Sequence, residues 1–242
     1  MEYGKALGSA VLFVLDNKPF HLALLKKAIS PDMNASDVFN SFKGDRPRVS
    51  KLGELAVIQK LTELGWDAFN LNATNPNYKG VDVVCIKPDN LETVFIQVKA
   101  SAEEEPNFPT GLLSNRKGEI VKKENGKFEK YDLKDKIVGP WVFVHIFLEN
   151  DRIVYKFYIL TKDETVELIQ DSNWWYWNKL EHRTVKDGQP IGLPISWISK
   201  EQGRKTNNPE GWRTYPGNNR IEKPDEAWEK IVKHKCQGAH IT

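Results

Sequence analysis

Four polar side chains occur where packing alone would favour apolar residues. Glu54 lies within a helical pattern, Asp82 lies at the start of an apolar run, and Gln97 and Lys99 end the next run. Carboxylate and amide oxygens suit Mg²⁺ or Mn²⁺ better than zinc. A lysine beside such an ion can orient or help deprotonate an attacking water and can offset charge on a phosphorane-like transition state. The residue types therefore predict a divalent-metal site that activates water.

The first element that must position this set is a helix carrying Glu54. The pattern predicts a capped helix from about Ser50 to Leu64 that ends at Gly65. At about 100° per residue, Glu54 falls near the centre of an apolar arc. A carboxylate directed towards a core is costly unless a cation or a metal compensates it. The arc consists of Leu55, Val57, Ile58, Leu61 and Leu64.

The second positioning element is a predicted antiparallel hairpin. The turn-type sequence at 88–91 separates the two apolar runs, so Asp82 should come level with the end that carries Gln97 and Lys99. Alternation along a strand puts Gln97 and Lys99 on one face, and Glu54 reaches it if the helix packs its apolar arc there. Two carboxylates about 5 Å apart repel by roughly 3 kcal/mol at an effective dielectric of about 20, which a divalent cation would reverse.

The surrounding chain alternates helical and β-type segments. Ser36 is a predicted cap for a short helix through Phe42. The polar insert at 100–136 is too long for a bare loop in a compact domain, so we expect it to hold local structure or to be mobile. From about residue 166 the sequence is aromatic and loop-rich. The predicted strands are 66–71, 81–87, 93–99, 141–148 and 153–160.

Taken together, Glu54, Gly80-Val-Asp82 and Gln97-Val-Lys99 resemble the PD-(D/E)xK nuclease superfamily. The helix of Glu54 is especially similar to one in Holliday-junction resolvases and methylation-dependent restriction enzymes. The resemblance covers residues 50–100 well and implies an α/β, restriction-endonuclease-like fold, with a mixed central β-sheet flanked by helices. Val81 stands where the family expects proline. Gln97 stands where it expects an acid, which should weaken metal affinity, although the family includes Gln-x-Lys members.

The resemblance also implies roles for individual residues in a Mg²⁺- or Mn²⁺-dependent endodeoxyribonuclease. Asp82 would be the bridging metal ligand, and Gln97 would take the place of the second acidic ligand. The backbone carbonyl of Val98 would complete the coordination. Lys99 would be the catalytic lysine that acts on the attacking water, and Glu54 would bind the metal directly or through water.

Further residues are predicted to contact nucleic acid. A basic cluster before the Glu54 helix suits phosphate contacts, although a solvated basic loop explains it equally well. The polar segment before Asp82 should border the site. A later segment combines bidentate donors with aromatic residues, as a base-reading loop does, but an ordinary irregular loop fits its Pro and Gly content better. The candidate contacts are Arg46, Arg48, Lys51, Asn75, Asn77, Tyr78, Lys79, Ser101, Arg204 and Arg213.

Composition bounds the class of protein. The 242 residues contain 35 Lys and Arg against 33 Asp and Glu, a formal charge of +2, so any DNA contact must come from local basic patches. Cys85 and Cys236 cannot form a four-ligand zinc site by themselves. No apolar run is long enough for a transmembrane helix, so we expect a cytoplasmic protein without a membrane partner. Cutting both strands of DNA would favour a homodimer.

We divide the chain into three parts: a helical N-terminal extension (1–45), a nuclease-like catalytic core (46–165) and an aromatic-rich C-terminal extension packed on the core (166–242). His145 alternates with bulky residues and is expected to be a satisfied histidine of the sheet or core. The four aromatic residues at 174–177 are best explained as rings that fill a core or cover a sheet, and stacking on nucleobases is the alternative.

Two other functions stay open at this point. The chain could keep the nuclease fold but bind metal too weakly for turnover, and so act as a nucleic-acid-binding protein. It could also be a protein-interaction module that uses the Trp-rich region. Divalent-dependent nicking of a plasmid separates the nuclease from both, and salt-sensitive DNA binding without nicking separates the other two.

Overall fold

A computed structural model describes residues 34–73, 80–113, 133–179, 190–199 and 224–232. Within these ranges a five-stranded sheet has helices on both faces, which confirms the predicted mixed α/β architecture. In chain order the elements are α1 (Ala35–Phe42), α2 (Arg46–Glu63), β1 (Asp67–Asn70), a 3₁₀ turn (Leu71–Ala73), β2 (Val83–Lys87), β3 (Glu92–Ser101), β4 (Asn107–Leu113), β5 (Trp141–Glu149), β6 (Arg152–Leu160), α3 (Lys162–Lys179), β7 (Pro190–Pro194), α4 (Ile195–Ile198) and α5 (Glu229–Val232).

The main sheet has the strand order β1-β2-β3-β5-β6. Only β3 and β5 are parallel, and the other neighbouring pairs are antiparallel. All five predicted strands are present with their ends shifted by a few residues. The insert at 100–136 holds structure of its own, since β4 pairs with β7 in a separate two-stranded sheet, while residues 114–132 lie outside the described part of the chain.

Two hydrophobic clusters cover the two faces of the sheet. The first contains Val57 and Leu61 of α2 packed on Ile96 and Val98 of β3. The second contains Phe143 and Leu160 of the sheet with residues of β4, β7, α3 and α4. Because β5 is covered on both faces, it forms a nearly continuous apolar run, as strands buried on both faces do.

Helix α2 begins earlier than the sequence pattern predicts. Asp45 is its N-cap and accepts a hydrogen bond from the backbone N–H of Arg48 at 3.2 Å, and Pro47 fits the first turn, where its missing N–H is not needed. The basic cluster with Arg46, Arg48 and Lys51 therefore lies on the first turns of a helix, and of the two alternatives left open by the sequence, the loop does not apply. In α1 the cap is Asn34, which accepts from the N–H of Asp37 at 2.8 Å, and not Ser36.

The end of α2 agrees with the sequence. Gly65 has a φ of +83°, and the N–H of Trp66 donates to the carbonyl of Leu61 at 3.0 Å. This closing turn suits glycine because it lacks a Cβ. Trp66 is buried and packs in the first cluster.

The buried stripe of α2 differs from the predicted arc. Leu55 and Leu64 are 40% and 48% exposed, while the buried positions are Val49, Gly53, Val57 and Leu61. The physical reason is Gly53: a Cβ there would lie 2.4 Å from the Cβ of Ala100 on β3. The helix therefore contacts the sheet most closely at Gly53, its smallest residue. Glu54 lies beside the buried stripe rather than at its centre.

The C-terminal part contains more regular structure than its composition suggests. Residues 162–179, including the aromatic run at 174–177, form helix α3 instead of a loop. Thr161 and Glu164 cap each other at its start, with hydrogen bonds of 2.8 and 3.1 Å. Glu164 also pairs with the buried Lys230 of α5 at 2.7 Å, which ties the segment 224–232 to the core. Within the described ranges, no helix has the length and apolarity needed to cross a bilayer.

Candidate active site

Asp82 lies directly before β2 and is held by the backbone on both sides. Its N–H donates to the carbonyl of Ile96 at 2.9 Å, and its carbonyl accepts from the N–H of Leu71 at 3.0 Å. The pairing of Val83 with Ile96 confirms the predicted hairpin and extends to put Asp82 opposite Gln97. Backbone pairing therefore fixes the position of this carboxylate.

Three N–H groups donate to the carboxylate of Asp82. The backbone N–H of Val98 is 2.8 Å from Oδ2, and the side-chain amide of Gln97 donates to the same oxygen. The amide of Asn72 donates to Oδ1 at 2.8 Å. The carboxylate is thus held between β3 and the 3₁₀ turn.

Gln97 and Lys99 point away from α2. Val98 belongs to the first cluster, so its two neighbours face the other side of the sheet, and they pair in register with Trp141 and Phe143 of the second cluster. Asp82, which is opposite Gln97, shares this side. The structure therefore agrees with the prediction that Asp82, Gln97 and Lys99 share one face.

The ammonium of Lys99 is partly buried next to aromatic and backbone surfaces. Nζ lies 5.3 Å from the ring centroid of Trp141, and β4 passes beside it at Gly111. Burial lowers the pKa of Lys99, while the carboxylates of Asp82 and Glu54 act in the opposite direction. The effect of burial is the larger one, so the pKa of Lys99 lies below that of a lysine in water and its proton is held less tightly.

Glu54 approaches this group from the opposite side of the sheet. Its side chain is 13% exposed, and Oε2 accepts from the amide of Asn70 at 2.6 Å and from Nζ of Lys51 at 3.0 Å. Helix α2 does not pack on the face of Gln97 and Lys99, which was the condition given for Glu54 to reach it; the helix packs on the other face, where Gly53 approaches Ala100. Glu54 nevertheless lies within electrostatic range of Asp82 and Lys99.

The charge of Glu54 disfavours the ionised form of Asp82. Burial raises the pKa of Asp82, the N–H of Val98 lowers it, and the charge of Glu54 raises it further. Lys99 and Asn72 also favour the ionised form. Burial outweighs the compensation from these donors and from the lysine, and an added cation would restore the balance.

Two asparagines complete the network: Asn72, the first residue of the polar segment predicted to border the site, and Asn70, which the sequence patterns did not single out. Asn70 and Asn72 each donate their amide N–H to one carboxylate, and the Oδ1 atoms of both are buried without a hydrogen-bond partner in the described part of the chain. Such unpaired buried acceptors are rare. Their spacing of two residues at the end of β1 was the signal in the sequence that could have identified them.

The remaining predicted residues are distributed as follows. Arg48 pairs with Asp45 at 2.9 Å, whereas Arg46 and Ser101 line a common cleft. His145 is buried, with Nε2 3.1 Å from the carbonyl of Glu103, as expected for a satisfied histidine. The described residues contain no group of three or more His, Cys, Asp or Glu that could hold a metal, so any metal here needs amide or carbonyl oxygens as well. The predicted contacts outside the described residues are Asn75, Asn77, Tyr78, Lys79, Arg204 and Arg213.

Comparison with known proteins adds one similar structure. No family model matches the chain, and no curated protein matches it. Among solved structures the chain is similar to a bacterial homing endonuclease, I-Ssp6803I, with 12% sequence identity and a TM-score of 0.33. The alignment covers 78% of this chain and 93% of that chain.

Proposed function

We propose that the protein is a metal-dependent DNA endonuclease of the PD-(D/E)xK type. The observation that carries this proposal is the convergence of Asp82, Gln97 and Lys99 on one face at the open end of the β2–β3 hairpin. Glu54 faces them within electrostatic range from α2. An acid on a helix, an acid before a strand and a Gln-x-Lys pair on the next strand, in this order, are the features on which the resemblance to this family rests.

The residues present fit a hard divalent cation. Glu54, Asp82, Gln97 and the carbonyl of Val98 would hold Mg²⁺ or Mn²⁺, which would supply Lewis acidity at the attacked phosphate. The raised pKa of Asp82 supports this fit, because burial and Glu54 leave its negative charge undercompensated. The amide oxygens of Asn70 and Asn72 support it as well, since both are buried acceptors next to the carboxylates and have no hydrogen-bond partner among the described residues.

Lys99 would handle the attacking water. In the hydrolysis of a phosphodiester, the water oxygen bonds to phosphorus while one bridging P–O bond breaks, and the leaving alkoxide takes a proton from solvent. Lys99 would orient this water or accept its proton on Nζ, which burial favours by lowering the pKa of the lysine. The ring of Trp141 would keep Nζ in place. A homodimer that cuts both strands stays a prediction.

A catalytically weak nucleic-acid-binding protein is a second candidate, favoured by one observation. Asp82 already accepts hydrogen bonds from Asn72, Gln97 and Val98, so its lone pairs are largely used without a metal. Gln97 also carries no charge with which to attract the ion. If these amides outcompete the cation, the protein would bind DNA without cutting it.

Nicking of supercoiled plasmid with Mg²⁺ or Mn²⁺ tests both candidates. Lys99→Ala is expected to abolish cleavage and to retain Mg²⁺-dependent DNA binding, whereas Asp82→Ala is expected to lose both. Lys87→Ala, at the other end of the same hairpin, is the matched control and should cut normally. Equal residual cleavage in the Lys99 and Asp82 variants would contradict the division of roles, and DNA binding without any nicking would favour the second candidate.

A further inference from the structure

A cleft with a polar lining lies next to the candidate active site. It has a volume of about 210 Å³ and is enclosed by the α1–α2 turn, the first turn of α2, the end of β3, and β4 with β7. Its hydrogen-bonding and charged lining residues are Lys43, Arg46, Ser50, Ser101, Glu103 and Asn107. We call it the Arg46 cleft. No residue of the proposed metal site lines it.

The same two elements carry the cleft and the candidate site. Ser50 precedes Glu54 by one turn of α2, about 6 Å along the helix. Ser101 follows Lys99 by two residues on β3, which is about 7 Å along the strand and on the same face. The cleft therefore lies about 6 to 7 Å from the candidate site along both elements. This distance is comparable with the length of one nucleotide in a strand.

The cations of the cleft have no partner in the described part of the chain. Lys43 and Arg46 are exposed, and neither makes an ion pair with any described residue. The nearby acid, Asp45, is already used, because it caps α2 and pairs with Arg48. The cleft thus presents two positive charges that no described residue pairs with. Among its lining residues, only the exposed Glu103 carries a negative charge.

We propose that the Arg46 cleft binds a backbone phosphate of the nucleic-acid strand whose neighbouring phosphate occupies the candidate active site. This inference rests on the proposed function. Arg and Lys charges together with hydroxyl and amide donors are the groups that contact phosphates in protein–DNA interfaces, where they position the strand without reading its sequence. The rest of the lining consists of Val49, Pro109 and three small residues, Ala100, Ala102 and Gly192, which leave space for a sugar-phosphate backbone.

DNA binding by charge variants tests this inference. The affinity for a fluorescent duplex is measured by anisotropy over a salt series in Mg²⁺, with Lys99→Ala as the non-cutting parent. Arg46→Gln and Lys43→Gln are each expected to weaken binding several-fold and to reduce the slope of log K against log salt by about one unit. Glu103→Gln is expected to strengthen binding, because it removes the opposing charge. Lys87→Gln, at the far end of the hairpin, is the matched control and should change neither quantity.

The outcomes separate this inference from the proposed function. Unchanged affinity and salt slope in both Arg46→Gln and Lys43→Gln would overturn the phosphate cleft, even if the unsubstituted protein nicks plasmid. Absence of nicking by the unsubstituted protein, with these salt effects intact, would overturn the nuclease and keep the cleft. Inorganic phosphate that raises the melting temperature of the parent but not of Arg46→Gln, with DNA affinity equal in both, would show a site for free phosphate and overturn the assignment to a strand. Both substituted side chains are exposed, so the variants should fold and melt like the parent.

Discussion

Glu54 is the residue at which stability and activity make opposite demands. Its charge is compensated by Lys51, which is 41% exposed, and by the amide of Asn70, while it opposes the charge of Asp82. Glu54→Gln strands no buried cation, because Lys51 can return to solvent, and an exposed ion pair contributes only about 0–1 kcal/mol. We therefore expect the metal-free melting temperature to hold or rise, while cleavage falls by at least about tenfold.

Calorimetry in the presence of a chelator measures the metal-free melting temperature, and plasmid nicking measures cleavage. Glu63→Gln on the same helix, where the acid is exposed and pairs with Lys60 at 3.6 Å, is the control and should leave both quantities unchanged. A clear fall in the metal-free melting temperature of Glu54→Gln, with cleavage per folded molecule intact, would identify Glu54 as a structural residue.

His145 should make the protein sensitive to mild acid. Burial lowers its pKa from 6.5 to about 4, against the hydrogen bond to the carbonyl of Glu103, which raises it. Between these two values the unfolded chain binds more protons than the folded chain, so the free energy of unfolding falls as the pH falls, by about 3 kcal/mol at most over the window. His145→Gln removes the titrating group and should flatten the dependence. Urea denaturation at pH 4 to 7 measures it, and identical slopes for parent and variant would refute this cause.

At the scale of elements, the contact between α2 and β3 determines where Glu54 lies. A Cβ at Gly53 would overlap Ala100 at 2.4 Å, so Gly53→Ala must push the helix away from the strand. Overpacking costs about 1–3 kcal/mol, which opposes the gain of about 1 kcal/mol in helix propensity. We expect a net loss of stability together with reduced cleavage, because the displacement moves the neighbouring Glu54.

A compensating substitution separates this contact from a general loss of folding. Ala100→Gly in the Gly53→Ala background removes the overlapping Cβ and should restore cleavage per folded molecule. Gly44→Ala in the preceding turn, where a Cβ would meet nothing within 4 Å, is the control and should cut normally. Persistent loss of cleavage in the double variant would show that the helix–strand spacing is not what places Glu54.

At the scale of the whole molecule, metal binding should be linked to global stability. A ligand that binds only the folded protein stabilises it by about 2.7 kcal/mol at a hundred times its Kd, which is a rise of roughly 5–10 °C in Tm for a chain of this size. We expect Mg²⁺ to raise the Tm of the parent but not that of Asp82→Ala. Asp89→Ala, in the exposed turn at the far end of the hairpin, should respond like the parent.

Gln97→Glu is expected to enlarge the rise in Tm produced by Mg²⁺, which Asp82→Ala is expected to remove. A second acid against the carboxylate of Asp82 should lower the metal-free Tm and enlarge the shift produced by Mg²⁺, because the added repulsion is relieved only by the cation. Equal shifts in the parent, Asp82→Ala and Gln97→Glu would show that Mg²⁺ acts elsewhere on the molecule.

The sequence was sufficient to predict the features of this protein that depend on neighbouring residues. Turn residues at 88–91 and the alternation on either side predicted the β2–β3 hairpin and the shared face of Asp82, Gln97 and Lys99, and Gly65 predicted the end of α2. These features depend on residues that are close in the chain, where strand periodicity and turn chemistry act directly.

The face of the sheet that α2 covers and the side chains that contact Glu54 depend on packing between segments distant in the chain. The apolar pattern favoured Leu55, but the close approach of Gly53 to Ala100 set the helix on the other face, and Asn70 and Lys51 became the partners of the carboxylate. The pairing of β4 with β7 and the bond from Lys230 to Glu164 likewise join segments far apart in sequence. Such choices depend on how closely distant surfaces fit together, and the periodicity of one segment carries no information about the surface against which it packs.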